Sequence, residues 1–277
     1  MRSARAAQWR SVNQIPDQLV VPRRFRGPPD SGNGGWTAGA LATHLTREGP
    51  DGRAAERPTV EVSLRRPPPL DTVLRLSEDA GSTSARADGT VVATARRFEG
   101  TLSSIEAVSF DEARAAEPAY PGHVFHPFPS CFACGTDREE GDGLRIFPGA
   151  VSQGRVAATW CPHPSLSEDW HTYVDASARA SVAATWAALD CVGGWAGDLT
   201  DRLMVLGRMT ARVESLPVID EEHVVVGARR GGEGRKTFTA ATLYDSTGRA
   251  VATAEHVWIA VDPAAFGGIS PGVGPVS

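Results

Sequence analysis

The sequence predicts an α+β fold made of two tandem repeats, each a curled antiparallel sheet around a central helix. Three observations carry that expectation. A short stretch recurs almost unchanged in the two halves of the chain. An Ala/Gly-rich helical segment precedes the strands of each half. Strand then follows strand without the helix alternation that a parallel doubly wound sheet requires.

The recurring stretch is Gly-Thr-Val-Val-Ala-Thr-Ala at 89–95 and Gly-Arg-Ala-Val-Ala-Thr-Ala at 248–254. Each follows a polar turn (Ala87-Asp88, or Asp245-Ser246-Thr247) and leads into a β-rich run, so each reads as the second arm of a hairpin. The first helix is expected over Trp36–Thr46, with Trp36, Ala40, Leu41 and Leu45 along one face. The second is expected over Asp175–Asp190, with Asp175 as its N-cap and Val182, Trp186 and Leu189 on one face. Alanines fill much of the remainder, which predicts a helix buried nearly all round. A looser echo links Val60–Leu70 with Val205–Ile219. An open curled sheet needs its edge covered, and a second copy in the same chain supplies the cover. The expected organisation is a first repeat over 15–117, a linker over 118–140 that holds Cys131-x-x-Cys134, a second repeat over 141–262 and a tail over 263–277.

Composition narrows the function. The chain has 277 residues, 41% hydrophobic and 22% charged, with a net charge of −5, so its overall field does not favour nucleic acid or an anionic membrane. Lys236 is the single lysine among 28 basic residues, which leaves almost no material for a P-loop or Schiff-base site. No apolar run approaches the length of a membrane span, and Arg2 and Arg5 are followed by Gln8, Arg10, Asn13 and Gln14 rather than by a signal sequence. A cytoplasmic protein with reduced thiols is the expectation. Gly268-Ile269-Ser270-Pro271-Gly272 satisfies the nucleophile-elbow pattern, but no helix or triad partner can follow so near the end.

Before the first helix, Gly32-Asn33-Gly34-Gly35 places three glycines in four positions. Bare backbone at a helix N-terminus points unpaired N–H groups and the positive dipole end at a ligand, which suits a carbonyl oxygen that becomes negative. Asn33 adds a side-chain donor; the plainer reading makes Ser31 or Asn33 the N-cap. Asp190 is the acid of the second helix, read as its last residue before a Gly193-Gly194 turn, where it opposes the dipole. His123-x-x-His126 and Cys131-x-x-Cys134 have the residue types of a zinc site. The favoured reading of these cysteines is nevertheless packing, with structural zinc and a redox pair as alternatives.

The stretches Gly32–Gly39, Cys131-Phe132-Ala133-Cys134-Gly135, Gly141-Asp142-Gly143-Leu144 and Ala188-Leu189-Asp190-Cys191 resemble an actinobacterial-type branch of the double hotdog thioesterase-like proteins, in the acyl-CoA thioesterase superfamily. The resemblance covers roughly 15–262. Single-hotdog relatives carry His-Gly-Gly at the helix start and an acid nine positions beyond that His; here those places hold Asn33 and Ala42. The resemblance therefore implies one composite site, in which the Gly34-Gly35 turn of the first half faces Asp190 of the second.

The implied function is hydrolysis of an acyl-CoA-type thioester. Asp190 would serve as base or nucleophile and Asn33 would stand beside the helix-start amides, with Gly34, Gly35, Trp36, Trp186, Trp195, Arg65 and Arg66 binding substrate. Arg65-Arg66 and Arg23-Arg24-Arg26 are candidates for the coenzyme phosphates. No cofactor is implied beyond coenzyme A as part of the substrate. The implied partner is a small acyl thioester, and a homodimer of double hotdogs is a further expectation. The alternative is a non-catalytic hotdog protein that binds acyl-CoA or another hydrophobic ligand. A dehydratase is disfavoured because no Asp/His pair of the needed spacing occurs.

Overall fold

The computed structural model describes residues 17–45, 57–167, 177–197 and 199–266. In chain order the elements are β1 (Gln18–Val20), α1 (Gly34–Ala42), β2 (Val60–Leu64), β3 (Val73–Asp79), β4 (Ser82–Ala87), β5 (Thr90–Arg97), α2 (Phe110–Ala116), β6 (Gly149–Ser152), β7 (Arg155–Trp160), α3 (Val182–Ala196), β8 (Met204–Val213), β9 (His223–Glu233), β10 (Lys236–Tyr244) and β11 (Ala250–Ala260). The strands form one 11-stranded sheet in the order β1-β3-β4-β5-β2-β8-β11-β10-β9-β7-β6. Every neighbouring pair is antiparallel. The class is therefore mostly antiparallel sheet with few helices.

The order has an internal logic. Outward from the β2–β8 junction, one side runs β2, β5, β4, β3, β1 and the other runs β8, β11, β10, β9, β7, β6. The two recurring stretches fall in β5 and β11, which hold matching places on the two sides. Both are second arms of hairpins, as the turn residues predict. Asp88 and Gly89 have φ of 45° and 76°, the paired positive values of the tight turn that suits strand twist. At the other hairpin the Asp245 carboxylate accepts from the Thr247 and Arg249 amides and Gly248 sits at φ 79°. Glu61, mostly buried at the junction, ties it together by pairing with Arg96 of β5 at 2.7 Å and Arg208 of β8 at 3.7 Å.

The helices depart from their expected bounds. The first helix begins at Gly34, two residues before Trp36, because the Asn33 side chain caps it by accepting the Trp36 amide at 2.8 Å; it ends at Ala42, and a single tight turn carries the chain to Leu45. The second helix runs Val182–Ala196 instead of ending at Asp190. Its N-cap is Ser181, which accepts the Ala184 amide at 3.0 Å; Asp175 lies outside the described residues. Gly193-Gly194 is not a turn. A Cβ at Gly193 would stand 2.6 Å from His256 Nδ1, and one at Gly194 would stand 3.0 Å from the Trp258 ring, so these glycines let β10 and β11 lie close against a continuing helix. Asp190 consequently sits in mid-helix.

Residues Ala183–Ala196 are all buried, as the alanine pattern predicts. The helices α1 and α3 pack on each other through the face of α1 that carries Gly35 and Gly39. A Cβ at Gly35 would lie 2.4 Å from Asp190 Cβ, and one at Gly39 would lie 2.7 Å from Trp186 Cβ and 2.8 Å from Ala183 Cα. This glycine spacing, one helical turn, allows the start of α1 to reach the middle of α3. The stretch 118–140 carries a substantial part of the core, since Tyr120, Phe128, Cys131, Phe132, Ala133 and Cys134 are buried there. The elbow-like Gly268–Gly272 motif falls outside the described residues.

Candidate functional site

A cavity of about 310 Å3 opens between the loop before α1, the segment after β2, the cysteine loop, the middle of α3 and the strands β8 and β11. The loop that delivers Asn33 is fixed by backbone bonds: the Gly32 amide donates to Pro68 O and the Asn33 amide to Phe25 O, both at 2.8 Å. Gly32 itself has no room for a side chain, because a Cβ would meet Val21 Cγ1 at 2.7 Å.

Asp190 is 2% exposed and borders the cavity. Its Oδ2 accepts from the Gly35 amide at 2.8 Å and from Asn33 Nδ2 at 3.1 Å. Its Oδ1 is buried with no hydrogen-bond partner. Burial raises the carboxyl to about 7, against the Gly35 hydrogen bond, which lowers it; the nearby Cys131 raises it further and Asn33 lowers it. The helix-start amides thus divide three ways. Trp36 N–H is capped by Asn33 and Gly35 N–H is held by Asp190. Gly34 N–H, at the cavity wall, donates to no atom of the described residues.

Asn33 Nδ2 also lies 3.7 Å from Cys131 Sγ and 3.8 Å from Cys191 Sγ. Those sulfurs are 3.6 Å apart, and the Sγ atoms of Cys131, Cys134 and Cys191 are all within 4.8 Å of one another. His126 Nε2 approaches Cys134 Sγ at 3.3 Å and the Cys134 carbonyl at 3.1 Å. The Cys134 and Cys191 thiols hold Cys131 well below the usual thiol range, whereas burial pushes Cys134 up and the contact with Cys131 pushes Cys191 up. Burial lowers His126. The loop that presents Cys131 and Cys134 is clamped by buried Arg138, which donates to Ser130 O and Arg24 O at 2.8 Å each and to Asp142 at 2.7 Å.

The structure brings together Asn33, Gly34, Gly35 and Asp190, and it sets Arg65 and Arg66 exposed along the cavity. The three tryptophans expected to line the slot lie elsewhere. Trp36 stacks on Phe25 with centroids 4.2 Å apart, Trp186 is core packing beneath Gly39, and Trp195 packs edge-on against Tyr120 at 4.7 Å. The apolar wall comes instead from Phe128, Leu64, Met204, Leu206 and Trp258. Trp258 was signalled only by its place in the second β-rich run. Of the expected metal candidates, Cys131 and Cys134 are in the sulfur group and His126 borders it. His123 is exposed against Tyr120 and Phe147. Cys191 was not assigned to this group from sequence, because 60 positions separate it from Cys131. Arg23 pairs with Asp71, and Arg24 donates to the Gly141 and Asp142 carbonyls, so both are engaged within the protein.

No family model matches the chain, and no curated protein matches it in sequence. Solved structures do match. A conserved hot dog fold protein of unknown function from Alicyclobacillus acidocaldarius superposes with a TM-score of 0.55 at 14% identity, over 91% of this chain and 96% of that one. A candidate thioesterase II from Thermobifida fusca gives 0.53 at 13% identity over 88% and 92%. A tesB protein from Mycobacterium avium subsp. paratuberculosis gives 0.51 at 13% identity over 85% and 90%. The fold is the hot dog fold, shared with proteins named as thioesterases. Among the described residues, no helix is long and apolar enough to cross a membrane.

Proposed function

We propose that the protein is a thioesterase-like hydrolase of acyl-CoA-type thioesters, built as a double hotdog whose two halves share the single composite site around Asp190. One observation carries this reading. A buried carboxylate is held at one oxygen by Gly35 N–H and Asn33 Nδ2, and its other oxygen, Oδ1, has no partner and belongs to a group bordering the cavity. Buried polar atoms are rarely left without a partner, and exceptions concentrate at working sites.

In this reading the thioester carbonyl accepts from the free Gly34 N–H, where the helix dipole favours growing negative charge. Asp190 Oδ1 takes a proton from water; the water oxygen bonds to the carbonyl carbon, the C–S bond breaks, and the sulfur leaves as a thiol or thiolate. The acyl chain occupies the apolar wall, and exposed Arg65 and Arg66 meet the coenzyme phosphates by charge. The names of the structural neighbours agree with this chemistry.

The test is free-thiol release from a panel of acyl-CoAs by the parent, Asp190→Asn and Asn33→Ala. Asp190→Asn retains an acceptor for Gly35 and is expected to lower kcat at least about 100-fold, the scale of general-base loss. Unchanged turnover in both variants refutes the site. One observation favours the alternative, ligand binding without turnover: Gly35 N–H is already committed to Asp190, leaving one helix-start amide for a carbonyl. A rise in Tm with a non-hydrolysable acyl-CoA analogue, with no thiol released from any acyl-CoA, would select it.

A further inference from the structure

The three cysteines are unused by the hydrolytic reading, and their arrangement asks for a separate account. We propose that Cys131, Cys134 and Cys191 form a three-thiolate site for a soft metal ion, Zn2+ first among them, with the fourth coordination position facing the cavity.

The geometry is the first argument. A tetrahedral ion with bonds of about 2.3 Å to sulfur sets its ligands about 3.8 Å apart. Cys131 and Cys191 Sγ stand at 3.6 Å, and all three sulfurs fall within 4.8 Å of one another. Among the described residues this is the one set of three or more potential ligating side chains so grouped. Two separate elements build it. Cys131-x-x-Cys134 comes from a loop clamped by Arg138, and Cys191 from mid-α3, so the separated ligands that a lone Cys-x-x-Cys lacks are supplied by the fold.

The surroundings are the second argument. A thiolate bound to metal keeps lone pairs that seek N–H donors, and such donors tune the site. Every sulfur here has one: Asn33 Nδ2 faces Cys131 and Cys191 at 3.7 and 3.8 Å, and His126 Nε2 faces Cys134 at 3.3 Å. The His126 tautomer follows from its other nitrogen. Nδ1 accepts the Phe128 amide at 2.9 Å, so Nε2 carries the proton and acts as a donor to sulfur rather than as a fourth ligand. All three cysteines border the cavity, which is the direction left for a fourth ligand. Three protein ligands and one open position are the arrangement of catalytic zinc sites; closed structural sites use four. Binding releases the thiol protons, and a divalent ion with three thiolates leaves one net negative charge near Asp190.

The test needs no turnover, so it fails or succeeds independently of the hydrolase reading. The full-length protein, purified without chelators, is analysed for metals, and Cys131→Ser, Cys191→Ser and Cys161→Ser are analysed beside it. Close to one zinc or other thiophilic ion per chain is expected for the parent and for Cys161→Ser, whose cysteine lies outside the group; the other two should bind at least about tenfold less. In case a variant fails to fold, metal-stripped parent protein is titrated with Co2+. Sulfur-to-cobalt charge transfer together with tetrahedral d–d bands supports the site. Absence of retained metal and of those bands overturns it, as does a disulfide between two of the three cysteines in freshly purified protein.

Discussion

His256 lies on β11 beneath Gly193, buried to 2% exposure, and it should make the fold acid-sensitive in a way that one substitution removes. Thr239 Oγ1 accepts the Trp258 indole N–H at 3.1 Å and shares a hydrogen bond with His256 Nδ1, also at 3.1 Å. Nε2 has no hydrogen-bond partner, so nothing there compensates a charged ring. Burial lowers its pKa from 6.5 to about 3. Between those values the unfolded chain binds a proton that the folded chain refuses, so stability rises with pH across the window and falls as pH drops below 6.5. At about pH 5 the loss is roughly 1.4 kcal/mol for each of the 1.5 pH units below the unfolded value, about 2 kcal/mol. His256→Leu, of similar size, cannot take up the proton. Urea unfolding of both proteins at about pH 7.5 and about pH 5 gives a double difference in which the constant cost of the lost Thr239 contact cancels. The parent should lose about 2 kcal/mol more than the variant on acidification. Equal losses would refute the buried neutral histidine. The other depressed histidines, His44, His126 and His223, remain in both proteins and cancel as well.

Gly39→Ala places a methyl against Trp186 Cβ and Ala183 Cα, neither of which can rotate away; overpacking of about 1–3 kcal/mol should exceed the helix-propensity gain of about 1 kcal/mol and lower the Tm. A higher Tm would contradict the close α1–α3 contact. Glu61→Ala removes the carboxylate shared by Arg96 and Arg208, whose exposed heads limit the cost to about 1 kcal/mol in denaturant titration; a stabilised variant would count against that junction. Arg138→Met strips donors from the Ser130 and Arg24 carbonyls and should cost about 2–4 kcal/mol. It should also speed thiol labelling at Cys131, and an unchanged labelling rate would mean that the clamp does not govern the loop.

The features legible in the sequence were those that depend on local pattern. The echo of 89–95 in 248–254 located two hairpin arms that the sheet places at matching positions, because turn chemistry and alternation act over a few residues. Alanine richness gave the burial of α3 for the same reason. The ends of α3 were not legible. Gly193-Gly194 has the form of a helix stop, and only the approach of His256 and Trp258 from distant strands explains two glycines inside a helix. Tryptophan identity likewise says nothing of direction: Trp36, Trp186 and Trp195 are large and apolar, yet each is spent on packing, while Trp258 borders the cavity. The grouping of Cys191 with Cys131 and Cys134 is a tertiary fact with no local signal.

The proposed site is single because of an asymmetry in two helices that otherwise start alike. Asn33 caps α1 and Ser181 caps α3, each accepting the amide three residues on. The residue nine positions past Ser181 is Asp190, whereas the residue nine past Asn33 is Ala42. The opposing helix starts differ in the complementary sense. Opposite Asp190 stands Gly35, whose bare backbone lets its amide reach the carboxylate at 2.8 Å; the residue two past the α3 cap is Ala183, whose Cα already abuts Gly39. An acid placed at Ala42 would be buried, and the start of α3, capped by Ser181 and followed by Ala183, repeats neither the asparagine nor the glycine that hold Asp190. Glycine, asparagine and aspartate therefore form one interdependent unit, in which the Gly35 amide and the Asn33 side chain compensate the burial of Asp190.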